Sequence, residues 1–174
     1  MSPDFDLRLK SMRRAMTTVI MPAIEPGNQL AQEQAAILVG QLDMLAMQWN
    51  RAEPYARLCR DELLRLVAGL RVAGGSETKA AWATLQAVAS DPPAPAAAAF
   101  NSLSAAMENL VRAADRDGDA DFRRQLHRDV LLYGHAQAAR DRSWFVQCGF
   151  DVNAAELKGI DEILAAHAEG RVDA

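Results

Sequence analysis

The sequence predicts an all-α fold, a mostly antiparallel bundle of six to seven helices with two long central ones. Three observations carry this. Apolar residues recur at three- and four-residue steps through most of the 174 residues, which is the period of a one-sided helix. No segment alternates with period two between turn signals, as a half-buried strand would. The breaks between periodic stretches are short and hold Pro, Gly or capping residues, so neighbouring helices run antiparallel. No fixed-period repeat is present.

Phe5, Leu9, Met12, Met16 and Val19/Ile20 form the stripe of a first helix, with Arg8, Lys10, Arg13 and Arg14 mostly between them, and Pro22 and Pro26 end it. Asn28 is placed to cap a second helix running to about Asn50. Between Glu33 and Arg51 this helix carries one formal charge, Asp43. So little charge predicts a central or interfacial position, since such a helix has no face suited to bulk water.

Pro54 marks a turn or kink before a third helix, whose stripe Tyr55, Leu58/Cys59, Leu63, Leu66/Val67 and Leu70 reaches Val72. Gly74 and Gly75 stop it. Ser76 is placed to cap a fourth helix with Trp82, Leu85 and Val88 on its stripe, which Asp91-Pro92-Pro93 ends. The fifth presents Phe100, Leu103, Met107, Leu110/Val111 and Ala114 on one face and fades at Asp115–Gly118. A long sixth helix follows, with Asp119 and Asp121 in its first turn, where carboxylates complement the helix dipole, and extends to about Gln147. Gly134 weakens it. Asn153 and Glu156 are spaced as a capping box, with Val152 and Leu157 as a staple, for a last helix over about 154–169. The chain reads as one domain, with a possible hinge in the Pro/Ala-rich stretch 91–99.

Composition excludes several functions. Half the residues are hydrophobic and 24% are charged, as in ordinary globular proteins. The net charge is −4, so no basic face for nucleic acid stands out. The apolar run Val19-Ile20-Met21 is stopped by Pro22 and is too short to span a membrane. Cys59 and Cys148 form no metal or redox motif, and a disulfide between them would need an oxidising compartment. Only three of 19 basic residues are Lys, a bias associated with GC-rich bacterial genes. The expected location is the cytoplasm.

Asp43 has Val39, Gly40, Ala46 and Met47 at its helical neighbours. That is a costly setting for an anion unless an Arg pairs with it or it stays exposed. Gln34, Gln41 and Gln48 repeat every seven residues, roughly opposite Asp43, and form a polar seam in an oligomer, the lining of a cavity in a monomer, or a solvated row. His127, Tyr133 and His135 lie on the sixth helix, but no His follows an acidic residue by three, so the pattern of a di-iron bundle is missing. The series Asp115, Asp117, Asp119, Asp121 fails as a calcium loop because Ala120 and Leu126 stand where Gly and Glu are needed. Asp residues also balance the arginines around that turn. Arg140-Asp141-Arg142-Ser143-Trp144 sets cations beside an aromatic, which suits an anionic or planar ligand, or simply packs a helix end.

No phosphate loop, nucleophile elbow or paired-carboxylate signature appears. The residues favour a non-catalytic, self-associating bundle with an accessory or regulatory role, a homo-oligomer expected to be a dimer, with Gln34, Gln41 and Gln48 at its interface. The alternative is a small-molecule-binding bundle or enzyme whose pocket lies between the second and sixth helices, using Asp43, Gln41, Tyr133, His135, Arg140 and Trp144. Neither needs a cofactor or metal. A further protein or small-molecule partner is open, and nucleic acid and membrane are not expected.

Overall fold

A computed structural model describes residues 4–91, 93–146 and 151–170. Cys148 lies outside them, and Cys59 is a buried free thiol. The fold is all-α: among the described residues there are seven α-helices and no strand. They are α1 (Phe5–Ala15), α2 (Gln29–Gln48), α3 (Ala52–Gly69), α4 (Ser76–Ser90), α5 (Ala96–Asp117), α6 (Ala120–Phe145) and α7 (Ile160–Ala168). None of them is long and apolar enough to cross a membrane. The chain forms two compact units, Met1–Ala52 with Trp144–Ala154, and Glu53–Ser143 with Ala155–Ala174. The division passes through the ends of α3 and α6, and the stretch 91–99 lies inside the second unit.

In the first unit α1 and α2 form an antiparallel hairpin. Asp4 and Asn28 cap them, accepting from the amides of Leu7 and Ala31 at 2.9 and 3.1 Å, so each helix starts on a side-chain acceptor for an otherwise unpaired N–H. The start of α1 meets the end of α2: the Phe5 and Trp49 rings lie 5.3 Å apart, and the Trp49 indole donates to Asp6 at 3.0 Å. Between the helices the chain widens into a π segment, Met16–Ile20, and then tightens into a 3-10 turn, Met21–Ala23, at Pro22.

The second unit holds the main core. α5 supplies Leu103, Ala106, Met107, Leu110 and Ala114, against Leu63 and Val67 of α3, Leu85 of α4, and Phe122 and Leu126 of α6. Fully burying each large side chain is worth roughly 1.5–3 kcal/mol, so α5 is the element on which this unit depends most. Of the central or interfacial positions expected of α2, the central one is not taken within this chain. Only Ala35 of that helix is buried, whereas eight residues of α5 are. Low charge does not by itself mean burial: hydrated glutamine amides and exposed Leu30, Ile37, Leu38 and Leu45 share the surface of this helix.

Two ends also differ from expectation. Ser76 is the first residue of α4 and its side chain makes no cap; Asp117, at the far end of α5, caps α4 instead, accepting from the amides of Glu77 and Thr78 at 2.8 and 2.9 Å. The chain closes around this contact through a backbone bridge between Gly74 and Gly118, where a Cβ on Gly74 would sit 2.8 Å from the Gly118 Cα. The last helix begins at Ile160 rather than near 154. Asn153 donates its amide to Asp151 in a local turn at 2.9 Å, Val152 is 96% exposed and staples nothing, and only a short 3-10 turn, Ala154–Glu156, precedes Gly159.

Candidate functional site

The two faces of α2 are chemically distinct. Asp43 faces α1, where its Oδ1 lies 2.5 Å from Arg13 Nε, and both side chains are about half exposed. The carboxylate is therefore paired at a rim rather than stranded in an apolar interior. An exposed pair of this kind contributes little to stability. A cavity of about 680 Å³ opens beside it, lined by Arg13, Gly40, Asp43, Met44 and Met47.

Gln34 and Gln41 lie on the opposite, outer face and are exposed. Leu30, Ile37, Leu38 and Leu45 share that face and are 68, 55, 47 and 49% exposed. At 100° per residue these six fall within about a third of the helix circumference, so the glutamines interleave with an apolar stripe. Gln48 continues the row but is half-buried, donating to the Trp144 carbonyl at 3.3 Å.

In the second unit, α3 and α6 enclose a polar cluster. Tyr55 and Cys59 sit one turn apart on α3, and Tyr133, Gln137, Arg140 and Asp141 recur at helical spacing on α6. The Tyr55 hydroxyl donates to Asp141 Oδ1 at 2.5 Å. Gln137 Nε2 donates to the same oxygen at 2.9 Å and lies 3.3 Å from Cys59 Sγ, while Gln137 Oε1 accepts from Arg140 Nη2 at 2.9 Å. Tyr133 lies beneath the Arg140 guanidinium, whose carbon is 6.0 Å from the ring centroid. The Tyr133 hydroxyl is buried with no hydrogen-bond partner among the described residues.

Burial governs the electrostatics of this cluster. It pushes the Tyr133 phenol up to about 12 and raises the Cys59 thiol. The Tyr55 phenol is raised by burial first and then by its hydrogen bond to Asp141. All three groups stay protonated at neutral pH, so none is poised as a nucleophile or base.

Arg140 also lines a pocket of about 360 Å³ with His135, Ser143, Glu156, Lys158 and Ile163. Of the residues expected to bind a ligand, Tyr133, His135 and Arg140 thus belong to the second unit, with Arg140 linking the cluster to the pocket. Gln41, Asp43 and Trp144 belong to the first. His127 pairs with Asp115 at 2.9 Å, and His167 with Asp61 at 3.2 Å. Among the described residues no group of three His, Cys, Asp or Glu side chains could hold a metal ion.

Sequence reasoning singled out Tyr133 and Arg140 of this cluster and named Asp141 only within the Arg140–Trp144 run; it missed Tyr55 and Gln137 as site residues. A signal was present: Tyr133, Gln137 and Arg140/Asp141 fall at four- and three-residue steps, which places them on one side of α6. Set against known proteins, this chain matches no family model, no curated protein and no solved structure.

Proposed function

We propose that the protein is a self-associating helical module, a homo-oligomer built on the outer face of α2, with an accessory or regulatory role rather than a catalytic one. The observation that supports this is the exposure of Leu30, Ile37, Leu38 and Leu45 around Gln34 and Gln41. A contiguous apolar stripe on an otherwise well-charged chain is the usual mark of an interaction surface. A second copy of the chain is the occupant that the stripe fits. Its six central residues carry no charge, so a twofold pairing brings no like charges together, and an amide both donates and accepts, so Gln34 and Gln41 can pair with their own counterparts.

Burial raises the pKa of the Tyr55, Cys59 and Tyr133 groups and leaves none of them an activated nucleophile or base, which supports the non-catalytic part of this reading. A cytoplasmic, bacterial setting goes with it, on the excess of Arg over Lys in the composition and the free thiol of Cys59.

Light scattering over a wide dilution series tests the assembly. The expected mass is a multiple of 18.9 kDa that persists on dilution. A monomer at every concentration would remove the proposal.

A further inference from the structure

We propose that the 360 Å³ pocket beside Arg140 binds a small organic monoanion, a carboxylate carrying a short apolar body. The argument starts from the charge of Arg140. Its side chain is only 8% exposed, yet it forms no ion pair among the described residues. Nε and Nη2 both donate to Gln137 Oε1, at 3.3 and 2.9 Å, and the Tyr133 ring lies beneath the guanidinium. Both partners are neutral. The carboxylate next in sequence, Asp141, is engaged through Oδ1 by Tyr55 and Gln137. A buried cation without a counter-ion is costly, and a guanidinium has five donors of which two are used here. The remaining capacity belongs to a side chain that lines the pocket.

The pocket walls define the ligand. His135 and Lys158 stand at its exposed rim, and Glu156 is the one carboxylate among the described residues of the lining. That carboxylate opposes a dianion such as a phosphate monoester more strongly than a monoanion. A planar carboxylate also matches the fork of a guanidinium, which a spherical anion does not. Ala136, Ala139, Leu157 and Ile163 supply an apolar wall. The volume lies at the small end of ligand pockets and suits an acid of about six to eight carbons.

Calorimetric titration of the full chain with benzoate and with hexanoate tests this, with benzamide and inorganic phosphate as controls. Benzoate and hexanoate are expected to bind at one per chain, and benzamide to bind about tenfold or more weakly. Arg140→Met removes binding. Because Arg140 is buried and that variant can fail to fold, Ala139→Phe provides the second arm: Ala139 is exposed, and a ring there fills the pocket while leaving the guanidinium in place. It is expected to abolish benzoate binding without changing the oligomer mass. Failure of both acids to bind, equal binding of benzoate and benzamide, tighter binding of phosphate, or full benzoate affinity in Ala139→Phe would each overturn the proposal. The outcome is independent of the α2 interface, since loss of self-association leaves this pocket in one chain.

Discussion

Asp117 and Thr78 join the end of α5 to the start of α4: the Asp117 carboxylate accepts from the Thr78 hydroxyl at 2.5 Å and from its amide at 2.9 Å. A helix that lacks its own capping side chain thus borrows one from 39 residues further along the chain. Thr78 is completely buried, so these bonds have no water to replace them.

The Thr78 hydroxyl bond, together with the amides of Glu77 and Thr78 and the nearby Arg116, holds the Asp117 carboxyl below its ordinary 3.8. A folded-state value below the unfolded one gives a stabilising contribution that is complete above the unfolded value and is lost as pH falls through the folded one. Asp117→Asn is therefore expected to lower the melting temperature at neutral pH. The gap to the wild type should narrow progressively below about pH 4. Thermal melts from neutral to strongly acidic pH check this, and a gap independent of pH would contradict the role assigned to the charge.

Glycine substitutions separate packed from open backbone. A Cβ at Gly134, within α6, meets nothing within 4 Å, whereas one at Gly118 would lie 2.6 Å from the Ala114 carbonyl oxygen. Gly134→Ala is expected to stabilise the chain by about 0.5–1 kcal/mol through helix propensity alone. Gly118→Ala is expected to destabilise it, because the turn from α5 to α6 must open. Urea denaturation of the two variants gives both signs in one experiment.

Tyr133 carries a buried hydroxyl without a hydrogen-bond partner among the described residues. Removing that oxygen relieves a desolvated polar group while keeping the ring under Arg140. Tyr133→Phe is accordingly expected to be neutral or stabilising by up to about 1 kcal/mol. A loss of more than that in denaturant unfolding would mean that the hydroxyl has a partner in solution.

Much of the fold was legible because helix signals are local. The Asn28 cap, the α5 stripe through Leu103, Met107 and Leu110, and the proline stop after α4 follow from neighbours within a few residues. The Asp117 cap was not legible, since nothing near Ser76 announces an acceptor 40 residues away. The capping box at Asn153 and Glu156 misled for the opposite reason: its spacing is right, but Asp151 takes the local amide and Gly159 interrupts the helix. For the candidate sites, spacing placed the Gln34 and Gln41 row opposite Asp43. It could not tell which side meets α1. That depends on Arg13, whose contact with Asp43 spans 30 residues.

The outer face of α2 is most directly tested by sedimentation velocity on the wild type and on Ile37→Glu/Leu38→Glu. Both side chains are about half exposed in the single chain, so the substitutions leave its fold intact while placing charges at the centre of the stripe. The expected result is an oligomeric wild type and a folded, monomeric variant. An unchanged oligomer in the variant, or a wild type that is already monomeric, would contradict the homotypic interface.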